Sequence, residues 1–407
     1  MQCRHCRAPL TLTFVDLGSA PPSNAYLTAA DLKKPELWYP LRVLVCSECR
    51  LVQTEDYAGA NEIFTDSYAY FSSYSTSWLD HAQKYVTAVV DRFGLNASSL
   101  VVELAANDGY LLQYVQARGI PCIGVEPTAS TANAARAKGI EIIEKFFGVQ
   151  LAEEMLGQRR RADLIAANNV LAHVPDINDF VSGVALLLEH NGVATFEFPH
   201  LLNLVANNQF DTIYHEHYSY LSLSAVALIF ERNGLAVFDV EEIPTHGGSL
   251  RVYAQRSASP RPRTAAVDKL LERERSVGVL TDAYYAGFQS RTDRVKNDFL
   301  RFLVDAKRDG KKVAGYGAAA KGNTLMNYAG VRPDLMPYVV DKSPAKQGKF
   351  LPGSRIPIVD EARIRSERPD YVVVLPWNIW DEVTTDLGYV RDWGGRCVRA
   401  VPELQVS

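Results

Sequence analysis

The sequence predicts an α/β protein in three parts: a small cysteine-rich domain, followed by two separate units in which strands alternate with helices. Two cysteine pairs near the N-terminus indicate the first part. Buried strands that run into glycine turns and helices indicate the other two, because that alternation is typical of a parallel sheet covered by helices. We expect domains over residues 1–58, 59–256 and 257–407.

Length and composition narrow the function classes. A chain of 407 residues, 47% hydrophobic and 22% charged, is typical of a globular protein of two or three domains. The formal net charge of −4 gives no indication of a nucleic-acid partner, and no apolar stretch approaches the roughly 18 residues of a membrane span. The N-terminal residues lack the apolar core of a signal peptide. We therefore expect a cytoplasmic monomer with no nucleic-acid or membrane partner.

Four of the six cysteines form two Cys-x-x-Cys pairs, Cys3 with Cys6 and Cys46 with Cys49. Each pair can present two thiolates from one tight turn, and together they fill the tetrahedral four-sulfur site that is typical of structural zinc. Because the protein would fill all four positions, this zinc is expected to stabilise the fold and not to catalyse a reaction. The alternatives are two unrelated pairs of free thiols, or a redox pair.

The first α/β unit follows an amphipathic helix, WLDHAQKYVTAVVDRF, at residues 78–93. Strands are predicted in SSLVVEL, PCIGVEP, RADLIAANN and VATFEFPH, with helices in YLLQYVQARG, TASTANAARAKG and FVSGVALLLEHNG. Residues 257–264 are rich in proline and arginine and predict a linker, and residues 265–308 are helical in pattern. A second alternation begins at KKVAGYGAAAKGN and continues through PYVVDKSPAKQGK and PDYVVVLPWNIWDEV.

The first strand of this unit ends in a turn that predicts a ligand site. Asp108-Gly109 lets the backbone approach a ligand at the carboxyl end of the strand, where ligands of α/β sheets bind. Glu126 closes the next strand, where an acid can accept both hydroxyls of a ribose. The turn has no G-x-G-x-x-G pattern, which favours S-adenosylmethionine (SAM) over a dinucleotide. Glu103, Asn107 and Asp108 would contact its amino acid portion or sulfonium; alternatively, these acids only cap helices.

The segment NNVLAHVPDINDF, residues 168–180, follows the predicted fourth strand. In SAM-dependent enzymes the residues at this place flank the methyl donor, which makes Asn168 and His173 candidate site residues. The alternative is that His173 is a satisfied histidine of the core, because its neighbours are apolar.

The densest group of reactive side chains is the run Tyr214-His215-Glu216-His217-Tyr218-Ser219-Tyr220. A strand would place Tyr214 and Glu216 on one face and His217 on the other, whereas a helix would bring Tyr214 and His217 together. In both cases a carboxylate and a tyrosine beside a histidine can hold its ring in one tautomer and keep its pKa near neutral pH. The spacing H-E-H differs from the H-E-x-x-H of zinc proteases. The alternative is a polar surface loop.

Two further segments predict substrate contacts. Residues 65–78, TDSYAYFSSYSTSW, form an aromatic and hydroxyl cluster that can lean over a sugar-like ligand. Residues 315–323, GYGAAAKGN, form a strand-to-helix turn whose backbone amides can meet a phosphate, with Lys321 adding a charge. The alternative for the second segment is a Rossmann-like domain that has lost its ligand.

Together these residues resemble the nucleotide-sugar C-methyltransferases of deoxysugar biosynthesis. The resemblance covers essentially the whole chain and rests on blocks in one order: the cysteine pairs, SYAYFSSYS, VVELAANDGYLL, GVEPT, NNVLAHVPD, FDTIYHEHYSYLS, THGGSLRVY and GYGAAAKGNTLMNY. One departure is VVELAANDG, where family members often have Gly-Ser before the asparagine. This change alters side-chain size and leaves the backbone turn possible.

The resemblance implies an N-terminal zinc-binding domain, a Rossmann-like SAM-dependent methyltransferase core and a second, C-terminal Rossmann-like α/β domain, with the substrate between the last two. It also implies C-methylation of a thymidine-diphosphate (dTDP)-linked 4-keto-deoxysugar at C-3, through an enolate. His217 would be the base, Glu216 and Tyr214 would orient or polarise it, His173 would contact the enolate oxygen or the sugar, and Tyr68 would close over the sugar. The expected SAM contacts are Glu103, Asn107, Asp108, Gly109, Glu126, Pro127 and Asn168, and the expected sugar-nucleotide contacts are Tyr70, Tyr74, Lys321 and Asn323.

Three alternatives remain at this point. A 4-ketone acidifies C-5 as well as C-3, so a C-5 methyltransferase of the same family is the nearest. An NAD-dependent nucleotide-sugar oxidoreductase is disfavoured because the turn at Gly315 and Gly317 lacks the third spaced glycine, and no Tyr-x-x-x-Lys follows. A non-catalytic zinc-bearing scaffold leaves the cluster at residues 214–220 unexplained.

Overall fold

The fold is known from a computed structural model that describes residues 1–55, 57, 71–158, 160–259 and 261–407. These residues form three sheets, one for each part that the sequence predicts. Within the described residues, no helix is both long enough and apolar enough to span a membrane.

The N-terminal domain is a small antiparallel sheet beside the four cysteines. Its strands are β1 (Leu12–Ala20), β2 (Tyr39–Val45) and β3 (Val52–Thr54), in the order β1-β2-β3. Between β1 and β2 the chain leaves this sheet and reaches the C-terminal domain, where Leu27 pairs with Phe350 and the Asn323 side-chain amide donates to the carbonyl of Ser23 at 2.9 Å. We call residues 21–38 the crossing segment.

The middle domain contains a seven-stranded sheet with helices on both faces. Its elements are α1 (Thr76–Phe93), β4 (Val101–Leu104), α2 (Leu112–Gln116), β5 (Cys122–Val125), α3 (Ala129–Ala137), β6 (Glu141–Ile143), α4 (Val149–Gly157), β7 (Ala162–Asn168), α5 (Ile177–Leu187), β8 (Leu188–Pro199), α6 (Leu201–Ala206), β9 (Ser219–Tyr220), α7 (Leu223–Arg232), β10 (Leu235–Ile243) and β11 (Ser249–Arg256). The strand order is β10-β11-β8-β7-β4-β5-β6. Strand β11 runs antiparallel to β10 and β8, and the other neighbouring pairs are parallel. The short strand β9 instead pairs with β3 and joins the N-terminal sheet.

Local sequence explains the first elements of this domain. The Ser75 hydroxyl caps α1 by accepting from the backbone of Trp78, and Gly94 ends the helix at a φ of 65°. All four residues of β4 are buried, as expected for a central parallel strand covered on both faces.

Two expectations about secondary structure in this domain are wrong. Residues 214–218 are neither strand nor helix: they form a turn, in which the His217 amide donates to the carbonyl of Tyr214 at 2.9 Å. The predicted helix FVSGVALLLEHNG ends at Leu187, because the chain changes to extended backbone at Leu188 and β8 begins there. Residues 188–192 of the predicted helix are therefore strand.

The C-terminal domain is a second, mainly parallel α/β unit. Its elements are α8 (Ala265–Val277), α9 (Asp282–Tyr285), α10 (Phe288–Arg308), β12 (Val313–Tyr316), α11 (Ala320–Tyr328), β13 (Val339–Val340), β14 (Ile358–Val359), α12 (Ala362–Glu367), β15 (Tyr371–Val374), α13 (Trp380–Asp386), β16 (Arg396–Arg399) and β17 (Gln405–Val406). The strand order is β14-β13-β12-β15-β16-β17, with only β17 antiparallel. The predicted Rossmann-like arrangement is confirmed.

One apolar core joins the N-terminal sheet to the C-terminal domain. The Phe14 ring on β1 stacks on Phe288 of α10 with ring centroids 4.2 Å apart. Phe210, from the middle domain, and Val339, on β13, belong to the same buried cluster. The three parts therefore pack as one body, and a cavity remains where they meet.

Candidate active site

The four paired cysteines converge on one point. Their sulfur atoms all lie within 4.8 Å of one another. Each pair sits in a tight turn, closed by a backbone bond from Arg7 to Cys3 and from Arg50 to Cys46, both 3.0 Å long. The Gln53 side-chain amide donates to the Cys3 sulfur at 3.3 Å. Four soft thiol ligands with a supporting donor fit a closed zinc site, and they leave no coordination position for a substrate.

A cavity of about 630 Å³ lies at the carboxyl ends of β4, β5 and β7 and reaches the C-terminal domain. This is the edge where ligands of α/β sheets bind. Nine of the predicted site residues line it: Asn107, Glu126, Pro127, Asn168, His173, Tyr214, Glu216, His217 and Lys321. We call the part around Glu126 the donor half and the part around His217 the acceptor half.

Glu126 dominates the donor half. Its two carboxylate oxygens accept from the backbone amides of Thr128 and Asn107, each at 2.9 Å. Because each oxygen has a second lone pair, the carboxylate is fixed and can still accept hydroxyl groups from the cavity. The residues present therefore fit the ribose of SAM.

Five predicted residues do not line this cavity. Glu103 is buried, and its burial, together with the charges of Asp108 and Glu126, holds its pKa well above the usual range. Gly109 has a φ of 75°, and a Cβ there would lie 2.4 Å from Ile140, so this glycine serves the turn. The other three are Asp108, which is buried, Tyr74, which is 70% exposed, and Asn323, which donates to the crossing segment. Tyr68 and Tyr70 lie outside the described residues.

His217 is buried at the centre of the acceptor half. Its Nδ1 lies 2.8 Å from the backbone carbonyl of Thr212, which can only accept, so Nδ1 carries the proton and Nε2 has the lone pair. Burial, followed by the neighbouring His173, lowers the pKa of His217 well below its usual value. The imidazole is therefore neutral at pH 7 and able to accept a proton.

The neighbours of His217 differ in what they contact. The Tyr214 ring lies over His217 with centroids 4.0 Å apart, and the His173 ring meets it edge-on at 4.6 Å. Burial lowers the pKa of His173 to about 4, partly offset by a backbone hydrogen bond to Glu216. The Glu216 carboxylate accepts from the Asn24 amide at 2.6 Å. The tautomer of His217 is thus fixed by a backbone carbonyl, a partner that the sequence does not indicate.

Lys321 extends the acceptor half into the C-terminal domain. Its Nζ donates to the Asn378 side chain at 2.6 Å and lies 4.7 Å from the centre of the Trp377 ring. Burial lowers the pKa of Lys321, while the charge of Asp211 opposes that shift. Burial raises the pKa of Asp211 to about 6, and the indole of Trp377 donates to this carboxyl at 2.6 Å.

The cavity is also lined by residues that sequence reasoning did not single out, among them Asn24, Tyr26 and His246, and by Trp78, which ends the aromatic segment predicted to lie over the ligand. Asn24 and Tyr26 come from the crossing segment, and Tyr26 donates to the carbonyl of Ala318 at 2.6 Å. No local pattern marks them, because they reach the cavity only through tertiary packing. His246 belongs to the block THGGSLRVY. The two glycines of this block indicate a turn whose backbone approaches neighbouring residues closely.

Family models match the three parts of the chain in order. They describe residues 3–64 as a zinc binding domain, residues 78–240 as a methyltransferase domain and residues 244–402 as a C-methyltransferase C-terminal domain. The fold and the cavity thus define a SAM-dependent methyltransferase with a structural zinc site, and both expected cofactors are confirmed. The C-methyltransferase NovU of Streptomyces niveus is 36% identical over 405 residues, which cover 100% of this chain and 96% of NovU. The chain belongs to the C-methyltransferase family.

Two solved methyltransferases are similar to part of this chain. Magnesium protoporphyrin IX methyltransferase ChlM from Synechocystis PCC 6803 is 17% identical, with 44% of this chain and 83% of ChlM covered at a TM-score of 0.35. The CcbJ methyltransferase from Streptomyces caelestis is 13% identical, with 44% and 90% covered at a TM-score of 0.35. Both likenesses cover less than half of this chain.

Proposed function

We propose that this C-methyltransferase acts on a dTDP-linked 4-keto-deoxysugar and methylates the carbon at C-3, next to the ketone. The observation that carries the proposal is the position of His217: a neutral buried imidazole with Nε2 as proton acceptor, in the same cavity as the ribose acceptor Glu126 and the cation Lys321. A donor, a base and a charged anchor for a substrate can therefore act together.

The chemistry assigns a task to each side chain. A carbon next to a ketone loses a proton because the electron pair of the C–H bond moves onto the carbonyl oxygen. His217 would take this proton at Nε2, and His173 would contact the oxygen or the sugar. SAM, when bound, supplies a methyl group whose bond to sulfur breaks as the new carbon–carbon bond forms. The protein's further work is to hold donor and acceptor in line.

The nucleotide end of the substrate would lie toward the C-terminal domain. Ala319 and Ala320 at the start of α11 line the cavity beside Lys321, and Lys346 lines it as well. Backbone amides at a helix start and lysine side chains are suited to phosphate oxygens. We expect the diphosphate there, which would place the sugar next to His217.

The test uses the full-length protein and a dTDP-4-keto-6-deoxyhexose. In deuterated water without donor, we expect deuterium at the carbon that the enzyme deprotonates, and with SAM we expect a methyl group at the same carbon, both read by NMR. Deuterium and methyl at C-5 would assign the C-5 reaction instead. Failure to exchange or methylate any dTDP-4-keto-deoxysugar, by a protein that still binds SAM in calorimetry, would refute the proposed substrate class. Thermal stabilisation by SAM and not by NAD would argue against the oxidoreductase alternative.

A further inference from the structure

A short turn, Thr245 to Gly248, carries His246 into the cavity. His246 has a φ of 54°, in the left-handed region that residues other than glycine seldom adopt. Such a conformation costs roughly 1–3 kcal/mol and persists only where the surroundings hold it. Here the Gln209 amide donates to the carbonyl of Gly247 at 2.8 Å, and the Asn203 amide donates to that of Gly248 at 3.2 Å.

A buried carboxylate anchors the start of this turn. Glu197, at the end of β8, accepts from the Thr245 hydroxyl at 3.1 Å. Arg251 donates to Glu197 at 2.9 Å, and the His81 ring lies 2.9 Å from it. Because Glu197 is fully buried and bonded to three partners, it ties the turn firmly to strand β8.

The C-terminal domain covers the other side of the turn. A Cβ on Gly247 would lie 2.6 Å from the Trp377 ring, so only glycine allows this contact. The same tryptophan lies under the Lys321 ammonium. The turn is therefore held by both domains that enclose the cavity.

The ring of His246 is placed among the reactive groups and is available to a ligand. Its ring centroid lies 5.1 Å from that of Trp78, and it lines the same cavity as His217, His173 and Lys321. Within the residues that the structure describes, neither ring nitrogen of His246 has a hydrogen-bond partner. His217 and His173, in contrast, each use part of the ring on a backbone carbonyl.

The protonation state of His246 bears on whether it acts as a proton acceptor or as a hydrogen-bond donor. Burial, followed by the charge of Lys321, lowers the pKa of His246 to about 4. The ring is thus neutral at pH 7 and carries one N–H. A neutral imidazole has one N–H and one lone pair, so His246 can donate its N–H to an oxygen, whereas Nε2 of His217, fixed by the Thr212 carbonyl, is the prepared proton acceptor.

We propose that His246 is a further catalytic residue, which donates its ring N–H to the substrate oxygen that becomes negative when His217 removes the neighbouring proton. This inference rests on the proposed function. In this step the C–H bond breaks, the proton moves to Nε2 of His217, and the electron pair becomes part of the enolate. His246 keeps its own proton and stabilises the oxygen alongside His173.

The experiment removes the imidazole without straining the turn: a glycine variant has no side-chain donor, whereas an asparagine variant keeps a shorter one. Glycine and asparagine both tolerate a positive φ, so His246→Gly and His246→Asn preserve the backbone. In His246→Gly we expect kcat and deuterium exchange to fall by about 10²–10³-fold, as when one donor to a developing oxyanion is lost. The KM for the 4-keto sugar should change much less. Added imidazole should restore part of the rate in the glycine variant, which it would not do if His246 were only structural.

The controls separate this inference from the proposed function. The exposed His190 lies away from the cavity, so His190→Asn should behave as wild type. Donor affinity by calorimetry reports whether each variant is folded. Exchange and kcat within about threefold of wild type in both His246 variants would overturn the inference. If deuterium exchange by the His246 variants no longer depended on pH, His246 would be the base, which would also overturn it. Wild-type protein that binds SAM and exchanges no 4-keto sugar would refute the proposed function instead.

Discussion

The two halves of the cavity are built in different ways. The donor half comes from one sheet: Asn107 and Glu126 follow the carboxyl ends of β4 and β5, and Asn168 is the last residue of β7. The acceptor half needs all three parts of the chain, since Asn24 comes from the crossing segment, His217 from a turn of the middle domain and Lys321 from α11. The fold alone places the first half, whereas packing between domains places the second.

The two halves also differ in their electrostatics. The donor half presents a carboxylate whose charge is supported by backbone amides. The acceptor half presents neutral imidazoles, because burial lowers the pKa of His217, His173 and His246, and it adds the side chain of Lys321. A cationic donor fits the first environment, and a substrate that becomes anionic during the reaction fits the second.

The largest effect should come from the zinc site, because the crossing segment starts from the sheet beside it. Cys46→Ser should lower the melting temperature strongly, since structural zinc contributes on the order of 10 kcal/mol to small zinc domains. Metal analysis of wild-type protein purified without chelator should find about one zinc per chain. Cys397→Ser is the matched control, because Cys397 is buried in the C-terminal domain, away from the cluster. Freshly purified wild type without metal would contradict the assignment.

His217→Asn should have the largest effect on rate among variants that keep the fold. Loss of a positioned general base costs about 10²–10⁴-fold, and donor affinity should not change because Glu126 is untouched. In wild type, activity should rise with pH as His217 loses its proton. Because the pKa of His217 is lowered, this rise should occur at a pH well below the usual pKa of a histidine. The measurements are initial rates against pH and deuterium exchange by NMR.

His173→Asn is the comparison that sharpens this result. Its effect should be smaller, and some exchange should remain, because His217 would still accept the proton. If His217→Asn exchanges at the wild-type rate and His173→Asn does not, the two roles must be swapped.

The difference between the halves explains how much the sequence could predict. Glu126 follows a buried strand whose position is fixed by periodicity, so its place beside Asn107 could be anticipated. The turn at residues 214–218 could not, because its shape depends on packing against a distant part of the chain, such as the Pro40 carbonyl, which lies 3.2 Å from the His215 ring. Asn24 and Tyr26 carry no local signal at all.

Glu126→Ala should weaken SAM binding and leave the chemistry of the acceptor half unchanged. Removing a charged acceptor from two ribose hydroxyls should cost about 1.5–3 kcal/mol, or roughly 10- to 150-fold in SAM affinity. Exchange of the sugar proton without SAM should be unchanged, because that step uses only the acceptor half. Calorimetry with SAM measures the first quantity, and unchanged affinity would remove Glu126 from the donor site. The surface variant Glu153→Ala is the control.

Asn24→Ala should produce the smallest effect, and it tests whether the crossing segment shapes the acceptor half. The Asn24 amide donates to the Glu216 carboxylate at 2.6 Å, and Glu216 precedes His217, the proposed base, in the chain. A hydrogen bond to a carboxylate is worth about 1.5–3 kcal/mol. Because Asn24 acts on the acceptor half through Glu216, only part of this free energy should reach sugar binding, and we expect the KM for the sugar to rise by roughly 2- to 10-fold. SAM affinity should stay at the wild-type value, since Asn24 lies in the acceptor half, and the exposed Asn297→Ala provides a matched control. If Asn24→Ala weakened SAM binding as much as sugar binding, the two halves would not be independent, because a change in the acceptor half would then have reached Glu126 through the shared packing.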